Sequence, residues 1–256
     1  MNMKSLVQDR LEQIQQQVSS LPHVHELRLS DHAYLQHPMH SNDCDLHFVL
    51  LVDSGFQSRF IDCLSWLTEI QHIAFKYRHV DNGYRFLFSD GIYCEFTVEE
   101  LKFGESADSV NLTTRQTEIA TLRPSGQLNA IGLDEGQDED WLLGEMLTNL
   151  LIGLRRFNRG DRLSAFYCIQ HHALSSLLEL LVQWEVSQTK QKRLAKGDIC
   201  FEQSYPHARN QVASFAMGYD KSPQSASAML EYAEQHHNLN YFIKDQILIQ
   251  IKSANN

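Results

Sequence analysis

The run Ser41–Val52, Ser-Asn-Asp-Cys-Asp-Leu-His-Phe-Val-Leu-Leu-Val, constrains this chain more than any other stretch. Its second half is continuously apolar and β-prone, the mark of a strand buried in a core. Asp43 and Asp45 stand at its mouth. Side chains two apart on a strand point the same way, so these two carboxylates share a face while Cys44 turns to the core. Two acids held so close repel each other unless a cation or a shared proton lies between them. A hard divalent ion such as Mg²⁺ takes oxygen ligands and leaves positions open for substrate phosphates. The plainer alternative is an ordinary acidic strand entrance.

A second segment bears on that choice. Asp90-Gly91-Ile92-Tyr93-Cys94-Glu95-Phe96-Thr97-Val98 reads as a turn and a strand that places Tyr93, Glu95 and Thr97 on one face. A lone carboxylate within a β-prone segment is costly to bury without a partner. Asp43 and Asp45 are the expected neighbours if the two strands pair.

An Asp-x-Asp opening one strand, with a third acid on a strand some way downstream, resembles the pattern of the nucleotidyltransferase superfamily. The named relatives are the lincosamide nucleotidyltransferases and the aminoglycoside adenylyltransferases. Asn42-Asp43-Cys44-Asp45-Leu46 is similar to their paired-acid segment, Gly91–Val98 to their third-acid strand, and Arg159-Gly160-Asp161 to the Arg-Gly-Glu of their helical domain. Phe201-Glu202-Gln203-Ser204-Tyr205-Pro206 resembles a further landmark of relatives of unknown substrate.

The resemblance implies an α+β fold: a small mixed-sheet N-terminal domain followed by an all-α helical bundle. It implies Mg²⁺ on Asp43, Asp45 and Glu95, with Glu95 serving as general base or as a ligand to a second metal. It implies that Arg159 reaches the nucleotide phosphates, a task suited to a guanidinium that is always charged. The substrates would be a nucleoside triphosphate and a small-molecule acceptor bearing a hydroxyl, to which a nucleoside monophosphate is transferred.

One departure bears on activity. The family places Gly-Ser in a loop ahead of the paired acids, where it cradles phosphate. The matching positions here are Asp31 and His32, and a later family Gly is replaced by Gln36. Glycine allows close backbone approach, and Asp31 offers a negative charge instead. At 4 Å and an effective dielectric near 20, that repulsion is about 4 kcal/mol. A protonated His32 or a metal would offset it. The alternative function is therefore a fold that has lost catalysis and binds a nucleotide or a protein partner. His37 and His40 lie in the same loop, and read either as ordinary polar residues or as further phosphate contacts.

Composition limits the other options. A net charge of −10 argues against general nucleic-acid binding, which needs a basic face. The five cysteines are scattered, with no Cys-x-x-Cys, so neither a disulfide framework nor a zinc site is expected. No apolar run reaches membrane-spanning length, and the start of the sequence lacks a signal-like apolar core. The expected compartment is the cytoplasm, without a membrane partner. A homodimer is the assembly considered, since a second chain would supply a further basic residue.

Along the chain, Val7, Leu11, Ile14, Val18 and Leu21 step at helical spacing over 4–21, and Pro22 ends that helix. His23–Leu29 alternates as a strand. After Val52, Asp53 or Ser54 is expected to cap a helix whose apolar face runs Phe56, Phe60, Cys63 or Leu64, Leu67 and Ile70. Asp81-Asn82-Gly83 marks a hairpin between strands over 73–80 and 84–88, and Ser89-Asp90-Gly91 turns into the Glu95 strand. Glu118–Leu122 reads as one more strand. The acidic run Asp134–Asp140 reads as a linker, which gives a sheet domain over 1–135 and a helical domain over 136–256. In the latter, helices are expected over 141–157, 161–186, from Pro206 through Met217, over 222–237 and over 241–251.

Overall fold

The computed structural model describes residues 3–29, 45–101, 138–189, 201–206 and 209–255. The chain forms two compact units, Met1–Thr117 and Glu118–Asn256. The boundary expected at 135, the strand expected over 118–122 and the loop over 30–44 fall outside the described residues.

In the first unit, helix α1 (Met3–Ser19) leads into strand β1 (Val24–Leu29), and β2 is Asp45–Val52. Two short helices follow, α2 (Gln57–Asp62) and α3 (Ser65–Thr68), then β3 (Ile73–Val80), β4 (Gly83–Phe88) and β5 (Tyr93–Glu100). The strands form one five-stranded sheet in the order β1-β2-β5-β4-β3. β2 and β5 run parallel, and the other neighbours are antiparallel.

One face of this sheet is the core. Leu46, Phe48, Leu50 and Val52 of β2, Phe86 and Phe88 of β4, and Cys94, Phe96 and Val98 of β5 are buried together with Val7, Leu11, Ile14 and Val18 of α1. Each large side chain buried this way contributes roughly 1.5–3 kcal/mol. Phe96 is the aromatic centre. It stacks on Phe48 at 5.6 Å and meets the Trp66 ring edge-on at 5.4 Å. Arg10 fastens α1 to the turn before β5, donating to Asp90 at 2.6 Å while lying over the Phe88 ring.

Two local expectations are corrected. The helix expected from Asp53 to Ile70 breaks at Cys63, whose backbone is extended (φ −127°, ψ 107°). Asp53 does not cap α2: its carboxylate is taken by His23 at 2.9 Å and His25 at 2.6 Å, and the Gln57 amide donates instead to Glu100 Oε1 at 3.0 Å. His23 holds a left-handed backbone at φ 68° and stacks on Phe56 at 3.6 Å. Gly83 is required at the hairpin, since a Cβ there would stand 2.3 Å from the Phe96 carbonyl oxygen.

The described elements of the second unit are all helical. α4 (Glu139–Asn158) begins with Glu139 and Asp140 and ends with Arg155 and Arg156, charges that complement its dipole. Gly160, at φ 93°, turns the chain, and Asp161 N donates to the Arg156 carbonyl to close the end. The next helical stretch comprises α5 (Arg162–Tyr167), a π-helical turn over Cys168–Ala173 and α6 (Leu174–Thr189). α7 (Phe201–Ser204) and α8 (Arg209–Phe215) come next. Pro206 lies in a turn after α7 and not at a helix start, and α8 ends before Met217. α9 (Ser222–His236) carries Pro223 in its first turn, and α10 (Tyr241–Ala254) is capped by Asn240, whose side chain accepts from the Phe242 and Ile243 amides. α10 packs on α4 and α9. No helix among the described residues is long and apolar enough to cross a membrane.

Candidate functional site

The candidate site is built on the sheet face opposite the core. Because Leu46, Phe48 and Leu50 point inward, alternation sends Asp45, His47 and Val49 the other way, and likewise Tyr93, Glu95 and Thr97 of β5. The parallel pairing sets Asp45 beside Tyr93, His47 beside Glu95 and Val49 beside Thr97. β4 then brings Arg85 opposite Glu95, and β3 brings Tyr77 opposite Arg85. His47, Glu95, Arg85 and Tyr77 thus form one polar row across four strands.

Contacts run along the row. Arg85 Nε donates to Glu95 Oε2 at 2.8 Å, and an Nη of the same guanidinium donates to the Tyr77 hydroxyl at 3.3 Å. His47 Nδ1 lies 3.8 Å from Glu95 Oε2. The Glu95 side chain keeps 27% of its surface exposed. Burial on its own would raise the Glu95 carboxyl, but the Arg85 guanidinium, with His47 and His79, outweighs it and holds the group at about 2. The rows on either side are less polar. Tyr93 and Leu87 are fully buried next to Asp45, itself 8% exposed, and Val49 is buried next to Thr97.

The site residues read from the sequence are placed as follows. Asp45 and Glu95 are on the same face of adjacent parallel strands. Asp43, Asp31 and His32 lie outside the described residues, as do His37 and His40. Arg159 is the C-cap of α4 in the second unit. Burial draws its guanidinium below the ordinary arginine range, against the opposing pull of Asp161 and Cys168. Its neighbours hold local structure: Arg156 donates to Ser164 Oγ at 2.7 Å and Arg162 lies over the Phe157 ring. Among the described residues, no group of three or more His, Cys, Asp or Glu side chains is arranged to hold a metal ion.

Arg85 was missed in the sequence, and a countable signal pointed to it. In a hairpin centred on Asp90, residues equally distant from the centre pair, and Arg85 and Glu95 each lie five positions away.

No family model matches the sequence, and no curated protein matches it either. Among solved structures the chain is similar to an aminoglycoside 6-adenyltransferase from Bacillus subtilis, at 12% identity over 97% of this chain and 91% of that chain, with a TM-score of 0.35.

Proposed function

We propose that this protein is a nucleotidyltransferase-fold enzyme. It transfers a nucleoside monophosphate from a nucleoside triphosphate to a hydroxyl of a small molecule, with Asp43, Asp45 and Glu95 as its acidic centre. The observation that carries this reading is the placement of Asp45 and Glu95 on one face of the adjacent parallel strands β2 and β5. Asp43 precedes Asp45 by two residues in the sequence.

The donor chemistry fits a hard cation. Carboxylate oxygens are its preferred ligands, and Glu95 stays ionised far below neutral pH. Asp43 and Asp45 would hold the ion, and Mg²⁺, when bound, supplies positive charge to offset the phosphates. Of the two roles open to Glu95, the acidity imposed by Arg85 favours ligation or electrostatic support. A carboxylate titrating at about 2 is a weak acceptor for a hydroxyl proton at neutral pH. Arg85 fixes the direction of that carboxylate, and Arg159 is assigned to the triphosphate on the motif resemblance.

The test is calorimetric titration of ATP and GTP in the presence of Mg²⁺, together with pyrophosphate release in the presence of hydroxyl-bearing acceptors such as aminoglycosides. Asp45→Asn is expected to abolish Mg²⁺-dependent binding and release while leaving the far-ultraviolet spectrum intact. Unchanged release in that variant would sink the assignment.

A second reading, a binding protein without catalysis, is favoured by Asp31 and His32 in place of the family's Gly-Ser. If the double variant Asp31→Gly, His32→Ser binds triphosphate and the natural chain does not, this second reading stands.

A further inference from the structure

We infer that the exposed face of α10 is a self-complementary surface on which a second copy of this chain docks antiparallel. The helix buries Ile243, Ile247 and Ile251 and turns Tyr241, Asp245, Leu248, Ile249 and Lys252 to solvent. At 100° per residue these five form one stripe opposite the buried isoleucines. It carries an unusual apolar load for a free surface: Tyr241 is 72% exposed, Ile249 53% and Leu248 37%. Lys244, at its edge, is bonded instead to Glu234 of α9 at 2.6 Å.

The charge pattern selects the occupant. Asp245 lies three positions before Leu248, and Lys252 lies three positions after Ile249. A two-fold axis midway between Leu248 and Ile249 therefore sets Asp245 against the partner's Lys252, and Lys252 against the partner's Asp245. The central Leu248 meets the partner's Ile249, and Ile249 the partner's Leu248, while Tyr241 covers the last turn of the facing helix. The two ion pairs are about 10 Å apart along the axis, at 1.5 Å rise per residue. Such a two-fold contact is isologous and closes at the dimer. A parallel pairing would set Asp245 against Asp245 and Lys252 against Lys252, which the charges oppose. The contact is small, so the dimer is expected to be weak, with a dissociation constant on the order of 10 µM.

Sedimentation velocity of the full chain over a hundredfold concentration range tests this. The wild type is expected to shift from monomer to dimer. Asp245→Lys or Lys252→Asp alone should weaken the dimer by roughly 30- to 100-fold, because two attractive pairs become two like-charge contacts. The exchange of both, Asp245→Lys with Lys252→Asp, should restore it to within a few-fold. Leu248→Asp should abolish it. All three positions are exposed, and unchanged circular dichroism with unchanged melting temperature reports that each variant is folded. A wild type that stays monomeric throughout overturns the inference, as does a dimer indifferent to the single charge changes. Single changes that weaken the dimer without rescue by the exchange overturn the antiparallel geometry.

Discussion

The two faces of the β-sheet are built from the same strands and obey opposite rules. On the core face, the buried side chains that β2, β4 and β5 contribute are apolar, and Phe48 and Phe96 pack on Trp66 while Phe86 meets Phe96 edge-on. On the other face, buried Val49, Leu51, Leu87 and Tyr93 flank a row of polar groups held by charge and hydrogen bonds. The first face depends on shape and area, so it tolerates pH and salt and fails when volume is lost. The second depends on ionisation, so it fails when a proton arrives or a partner is removed. A sheet that buried carboxylate and guanidinium only for stability would gain as much from a well-packed apolar pair. The polar row is where the fold departs from what packing alone asks for, and such departures gather at functional sites.

The contrast can be broken from either side. Phe96→Ala is expected to have the largest effect, a loss of roughly 3–5 kcal/mol in urea unfolding, with no change in its pH dependence. Acid is the next lever. Glu95 has a folded value of about 2 against an ordinary 4.5. Its contribution is therefore fully present above 4.5 and is lost as pH falls from there through about 2. It amounts to about 3 kcal/mol at most. Wild type and Glu95→Gln followed by unfolding at stepped pH should converge across that window. Arg85→Met comes third, at about 2 kcal/mol, because it leaves Glu95 facing its buried neighbours without the guanidinium. The double change Arg85→Met, Glu95→Gln should recover most of that loss, and a double-mutant cycle checks it. The smallest effect is expected at Thr97, whose buried hydroxyl has no hydrogen-bond partner among the described residues. Thr97→Val should leave stability unchanged or raise it by up to about 1 kcal/mol, read as a small upward shift in melting temperature.

What the sequence made legible follows the range of the forces involved. Helical spacing located α1, Asn82-Gly83 located the β3–β4 hairpin, and Ser222-Pro223 located the start of α9, because each signal is local. Strand alternation also placed Asp45 and Glu95 on one face once their strands were paired. The parallel contact of β2 with β5 was only a supposition in the sequence, since no turn encodes it. The partner expected for Glu95 was another acid. The partner present is Arg85, set by hairpin register rather than by motif. The helix after β2 was misread because Phe56, Phe60, Leu64 and Leu67 keep helical spacing across a break at Cys63, and periodicity alone does not detect an extended residue between two short helices.

The same central pairing of β2 with β5 sets an order of events during folding. The β3–β4–β5 meander closes short loops, and Arg85 and Glu95 are only ten residues apart, so their pairing carries a small entropic cost. β2 reaches β5 only after α2, α3 and the meander have been gathered between them, a long-range closure of the kind that slows folding. His47 and Asp45 therefore join Glu95 late, and the polar row is complete only in chains that have finished that step. Amide protons shared by β2 and β5 should be among the last to gain protection in pulse-labelled refolding. A substitution that detaches β2 would then part His47 from Glu95 while leaving the hairpins folded, so loss of the β2–β5 pairing would precede loss of the meander as denaturant is raised.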